Sequence, residues 1–217
     1  FVLPGGFTYG DDIAAGKVLA NQLRQQVLDE LTRFIDDGKL IIGICNGFQV
    51  LMKMGLLPEV KGAQTSLTGD KQRFTLTYND SNKFEDRWVY LKSASNKSVF
   101  VDNDSFMYVP IAHAEGKFVA ENQEDVEKLD KSGQIVFKYV DKDGNMSDYP
   151  WNPNGSSGNI AGVCDSTGRV LGMMPHPERH IDPTQHPRWT REGLKTEGDG
   201  IAIFRNAVNY ISRTFSS

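Results

Sequence analysis

Cys45 closes the apolar run of residues 40–44 in the segment GICNGFQ, and Asn46-Gly47 follows at once. A strand that ends in a nucleophile, a two-residue turn and then a helix is the outline of a nucleophile elbow. Its serine form is G-x-S-x-G, and here the letters are G-I-C-N-G. Such a turn lifts the sulfur off the end of a sheet and sets it at a helix N-terminus, where partial positive charge favours thiolate over thiol. The backbone N–H of Asn46 lies beside the sulfur and is placed to hydrogen-bond an oxyanion. Gly47 leaves room for a strained turn and close backbone approach. The competing reading is Cys45 as a small buried hydrophobe, since free cysteine is among the most buried residue types.

A nucleophilic cysteine needs a base, and MMPHPER, residues 173–179, offers one. Residues that precede proline are pushed to extended conformations, and in an extended chain residues i and i+2 point the same way. His176 and Glu178 are therefore expected to share a face, with the carboxylate orienting the imidazole, as in the base half of a nucleophilic triad. A rigid surface loop without chemistry is the alternative. A metal held by His176, Glu178 and His180 is not expected, because H-x-E-x-H is not a standard zinc spacing and no cysteine pair accompanies it. In LPGGF, residues 3–7, the consecutive Gly5 and Gly6 can turn backbone N–H groups towards the mouth of a sheet. They would complete the oxyanion hole begun by Asn46, or else form a simple tight turn.

These groups need a scaffold. FVLPGG reads as the end of a buried strand and a turn, and LIIGIC as a short strand buried on both faces, as in a parallel sheet. Ligands collect outside the carboxyl ends of such strands. Between the two strands, Leu19, Leu23, Val27 and Leu31 recur every fourth residue, which predicts a helix over residues 12–34 capped by Asp12 and ended at Gly38. Another helix starts at Phe48 and stops near Gly55. RFTLTY, RWVYLK, FMYVPIAH and QIVFKYV read as strands, residues 124–131 as a short helix, and residues 141–158 as a long polar loop. IAGVC and RVLGMMP are expected to form a hairpin across DSTG. A polar insert spans 181–198, and a last helix over 199–212 is expected to bury Ile203, Phe204, Val208 and Ile211. The pattern is that of one doubly wound α/β domain over residues 1–217, a mixed, mostly parallel sheet with helices on both faces.

The chain has 217 residues, a net charge of −4 and only two cysteines, Cys45 and Cys164. That is enough for one substantial core. Two cysteines do not make a disulfide scaffold, so a reducing, cytoplasmic location is expected. No basic stretch suggests nucleic acid or an anionic membrane surface. No apolar run approaches the roughly 20 residues of a membrane span, and none reads as a secretory leader.

GICNGFQ together with MPHPE resembles the class I, triad-type glutamine amidotransferases. LPGGFTYGDD, AHAEGK, NPNGS and GMMPHPER narrow the resemblance to the glutaminase component of phosphoribosylformylglycinamidine synthase, in de novo purine synthesis. It implies a flavodoxin-like domain whose nucleophile is Cys45, base His176 and orienting carboxylate Glu178. The oxyanion hole falls on Gly6 and Asn46, with Gly5 shaping the turn. Gln49, His113 and Glu115 fall on substrate-binding positions. L-Glutamine is the implied substrate. The implied partner is a synthetase subunit or domain, with a small accessory subunit in some assemblies. ATP and magnesium act on that partner and no cofactor is implied in this chain, which has no Walker A loop. A cysteine hydrolase on a related fold and a non-catalytic regulatory subunit are the other classes the motifs admit. Two departures stand out. The strand–helix–strand unit that usually precedes LPGG is not among these residues, so the domain is expected to be N-terminally truncated relative to the family, and Ala114 replaces the usual glycine of AHGEG. The 181–198 insert is longer than the simplest members need, either as a lid or docking surface around Trp189 or as a solvated loop.

Overall fold

The computed structural model describes residues 1–58 and 73–215. Strand β1 (Val2–Leu3) leads through a 3-10 turn to helix α1 (Lys17–Asp36), β2 (Ile41–Ile44) and α2 (Asn46–Met54). Then come β3 (Phe74–Thr77), β4 (Glu85–Ser93), β5 (Phe106–His113), β6 (Lys117–Ala120), α3 (Gln123–Lys131) and β7 (Ile135–Val140). The chain finishes with β8 (Ile160–Cys164), β9 (Val170–Met173), a short α4 (Trp189–Glu192) and α5 (Ile201–Phe215). Among the described residues, none of these helices is long and apolar enough to cross a membrane.

Among the described residues, seven strands form one mixed sheet in the order β1-β2-β9-β8-β7-β4-β5, and β3 and β6 form a separate antiparallel pair. The parallel part is β1-β2-β9, with Val2 beside Ile42 and Ile44 beside Met173. The remaining pairings are antiparallel, including the expected β8–β9 hairpin. β2, β8 and β9 are buried at every position, as strands covered on both faces must be. The α2 face of β2 and β9 carries Gly43 and Gly172, where a methyl group would strike Leu51 and Phe48 of α2. A methyl group on Gly47 would overlap the carbonyl of Leu3, so the first turn of α2 sits directly on the end of β1. On the opposite face, Ile42 lines a groove with Phe204 and Ala207 of α5.

Three local expectations are corrected. α1 begins at Lys17 behind the left-handed Gly16, not at Asp12, because Tyr9, Asp11 and Ile13 all have positive φ and cannot continue a helix. In α5 only Ile203 is buried, while Val208 and Ile211 are 64% and 37% exposed on the open side of the groove. β6 was not expected from the sequence. The polar loop of residues 141–158 is more than a connection. Its buried Asn154 donates to the Gly116 carbonyl, and its Ser156 hydroxyl accepts from Phe118 N–H. The 181–198 insert folds back on the sheet, with Arg188 stacked 5.3 Å above the ring of Tyr108. Trp189, 39% exposed, caps nothing in the site described below.

Candidate active site

Parallel pairing of β1, β2 and β9 brings their carboxyl ends to one edge of the sheet. β2 is the middle strand, so Cys45 emerges between the Gly5-Gly6 turn after β1 and the His176 turn after β9. Cys45 has φ 51° and ψ −107°, the strained backbone of a nucleophile elbow. A methyl group on Gly5 would lie 2.6 Å from His176 Cε1 and 3.4 Å from Cys45 Cβ, so the ring and the cysteine flank this glycine. Gly6 has φ 146°, open only to glycine, and lines the same small cavity as Cys45.

His176 Nδ1 lies 2.6 Å from Glu178 Oε1. The pair forms through a 3-10 turn over Pro177–Arg179, not through the extended strand that the flanking prolines suggest. His176 N–H also donates to the Pro110 carbonyl of β5 at 2.8 Å. A carboxylate on Nδ1 keeps the proton there and leaves Nε2 as the free lone pair, the form a general base needs. His176 Nε2 is buried with no hydrogen-bond partner among the described residues. His180 does not join this group, since its Nδ1 lies 2.7 Å from the Tyr108 carbonyl.

The Cys45 thiol does not engage the imidazole. Cys45 Sγ donates to the Ala112 carbonyl at 3.7 Å rather than to His176. The thiol is pushed up to about 12, first by burial, with the Glu178 and Asp11 carboxylates adding to it and the Asn46 N–H opposing it. The helix N-terminus alone therefore does not deliver the thiolate that the elbow predicts, because desolvation outweighs it. The cavity over Cys45 is small, about 30 Å³.

Asn46 does more than offer its N–H. Its side-chain oxygen accepts from Thr8 Oγ1 at 2.8 Å, and its Nδ2 donates to Gln49 Oε1 at 3.0 Å and to Asp11 Oδ1 at 3.3 Å. The turn after β1 is thereby fastened to the elbow. Gln49 is buried and donates to the Glu115 carbonyl at 2.6 Å. The Glu115 carboxylate accepts from Ala15 N–H at 3.3 Å. Gln49, His113 and Glu115 all line the Cys45 cavity, as does Asp11, which sequence reasoning missed. Asp11 has its carboxyl raised by burial and by the nearby Glu115. Asn79, also missed, holds the His113 ring at 3.1 Å. No periodicity marks either residue, since both lie in turns far from Cys45 in sequence.

The chain is similar to known proteins over most of its length. Residues 1–211 match the model of the CobB/CobQ-like glutamine amidotransferase domain. Phosphoribosylformylglycinamidine synthase subunit PurQ of Dehalococcoides mccartyi is 47% identical over 209 residues, 95% of this chain and 77% of that protein. The PurQ subunit of Archaeoglobus fulgidus is 44% identical over 98% of this chain and 78% of its own length. Among solved structures, that of PurLQS from Thermotoga maritima superposes with a TM-score of 0.69 at 31% identity, covering 97% of this chain and 78% of the matched one. With its elbow cysteine and neighbouring imidazole set on such a sheet, the chain belongs to the CobB/CobQ-like glutamine amidotransferase family, among the PurQ subunits of phosphoribosylformylglycinamidine synthase.

Proposed function

We propose that Cys45, His176 and Glu178 carry out the glutaminase half-reaction of phosphoribosylformylglycinamidine synthase. In this reading L-glutamine is hydrolysed to glutamate, and the ammonia passes to a synthetase partner that converts formylglycinamide ribonucleotide to formylglycinamidine ribonucleotide. ATP and magnesium serve the partner's step. The observation that carries the reading is the 2.6 Å contact of His176 Nδ1 with Glu178 Oε1, on a ring that flanks Gly5 together with Cys45.

Glutamine enters the cavity that Cys45 shares with Gln49, His113 and Glu115. Cys45 Sγ swings from the Ala112 carbonyl and gives its proton to His176 Nε2. The thiolate attacks the carboxamide carbon, and the N–H groups of Gly6 and Asn46 receive the oxyanion. Donors of this kind are worth roughly 2.7–4 kcal/mol each. The imidazolium, stabilised by Glu178, returns its proton to the departing nitrogen, and the C–N bond breaks to leave a glutamyl thioester and ammonia. His176 then takes a proton from water, the hydroxide attacks the thioester, and glutamate leaves as Cys45 recovers its proton. Asp11 and Glu115 supply negative charge for the substrate's α-ammonium, with Gln49 holding the Glu115 backbone in place. Residues 1–217 act as one domain in the cytoplasm, where Cys45 and Cys164 stay reduced.

In the reconstituted complex, Cys45→Ala should abolish glutamine-dependent synthesis and leave ammonia-dependent synthesis intact. Glutamine hydrolysis at the wild-type rate in that variant would remove Cys45 from the mechanism.

A further inference from the structure

His176 is not the only imidazole in this site. His113, at the end of β5, is 2% exposed and lines the Cys45 cavity. Among the described residues its Nε2 is buried with no hydrogen-bond partner, like that of His176. A methyl group on Gly116 would overlap the ring, which is therefore packed flat against that backbone.

The protonation of the ring can be read from its neighbour. Asn79 is 1% exposed and its amide orientation is settled by backbone groups. Its Nδ2 faces the carbonyls of Lys83 at 2.9 Å and His113 at 2.8 Å, which only accept. Its Oδ1 faces the N–H of Gly116 at 3.0 Å, which only donates. Oδ1 is thus an acceptor, and the His113 Nδ1 at 3.1 Å from it must carry the proton. Nε2 is then a bare lone pair. The two rings share a tautomer but differ in the group behind them. Glu178 is a carboxylate and can stabilise a second proton on His176, whereas Asn79 is a neutral amide and cannot do the same for His113. Burial, with the neighbouring His176 second, also lowers the affinity of His113 for protons, to about 4.

We propose that His113 is the acceptor for an N–H of the substrate carboxamide, and that Asn79 is the positioning residue that makes it one by holding the ring proton on Nδ1. The inference rests on the glutaminase reading and adds a basis for amide selectivity. A carboxamide presents N–H to the Nε2 lone pair. A γ-ester presents oxygen lone pairs there, and a γ-carboxylate presents negative charge. A buried acceptor left facing an acceptor is costly, which is how such sites reject analogues lacking a donor.

The test compares hydrolysis of glutamine and of glutamate γ-methyl ester by the synthetase complex. His113→Phe should lower the preference for glutamine over the ester by about 10-fold or more. An equal fall for both substrates, or an unchanged ratio, would overturn the proposal. Should that variant fail to fold, ¹⁵N-histidine spectra of the full wild-type chain at neutral pH decide instead. They should show the His113 proton on Nδ1, and a proton on Nε2 would overturn the assignment. Asn79→Ser supplies a second kinetic arm, in which the glutamine-to-ester ratio should fall in the same direction. Persistence of glutamine hydrolysis in Cys45→Ala would defeat the glutaminase reading itself, a result none of these arms can mimic.

Discussion

Gly5 has room for no side chain, because His176 already occupies the space: a Cβ there would come within 2.6 Å of Cε1 of the ring. The glycine is required by this close approach and not by a left-handed backbone, unlike its neighbour Gly6. It lets the His176 ring come close to Cys45.

Gly5→Ala should therefore push the imidazole off Cys45 while leaving the sheet intact. A displacement near 1 Å at a reacting group costs about 100-fold in rate, so glutaminase kcat/KM should fall by that order. Circular dichroism and ammonia-dependent synthesis by the complex should be preserved. Wild-type kcat/KM would show that the ring is not held where Gly5 allows it.

Cys45 alkylation should be slow in the resting chain. With its thiol pushed up to about 12 by burial, iodoacetamide at pH 8 should label it about 100-fold or more slowly than free cysteine. Peptide mass spectrometry separates it from Cys164, which is fully buried and also held at about 12. Adding the synthetase partner and a glutamine-like electrophile should accelerate labelling of Cys45 alone.

Asn46→Ala should loosen the turn after β1. It removes the bonds to Thr8, Asp11 and Gln49 and leaves the buried Gln49 Oε1 without that donor, at about 1–3 kcal/mol. Limited proteolysis should cut within residues 8–16 sooner than in the wild type, and kcat should drop because the oxyanion donors lose their alignment. An unchanged cleavage pattern would show that the fastening is not limiting.

Stability should decline on mild acidification. His113 titrates at about 4 in the folded chain against an ordinary 6.5, so between these values the unfolded chain binds a proton that the folded one refuses. The contribution is complete above about 6.5 and shrinks as pH falls towards 4, with a slope of at most about 1.4 kcal/mol per pH unit from this one group. Urea midpoints at pH 7 and pH 5 measure it. In His113→Phe the gap between the two midpoints should narrow.

Much of the site was legible in one dimension. The elbow at Cys45 and the two glycines after β1 follow local rules about strand ends and turns, while His176 and Glu178 pair as expected but through a 3-10 turn that the proline rule does not give. The strands β2, β7, β8 and β9 announced themselves as apolar runs between turn residues. What escaped were residues whose partners are remote. Asn79 reaches the His113 ring 34 positions on, and Asp11 meets Asn46 35 positions on. Neither sits in a periodic pattern. Apolar spacing also misjudged α5, where Val208 and Ile211 repeat at helical intervals yet stay exposed.

By itself the sequence determined the chemical inventory: one sulfur on a strained turn, one imidazole beside a carboxylate, and a sheet whose parallel strands would carry them. Local sterics and hydrophobic period suffice for that, since both act within a few residues. Only the tertiary structure decided that the sheet curls until β5 meets the ends of β2 and β9. That curl brings the Ala112 carbonyl to the sulfur and a second imidazole into the cavity. It decided as well that the thiol rests protonated, because desolvation depends on everything packed around a group and not on the few residues beside it in the chain.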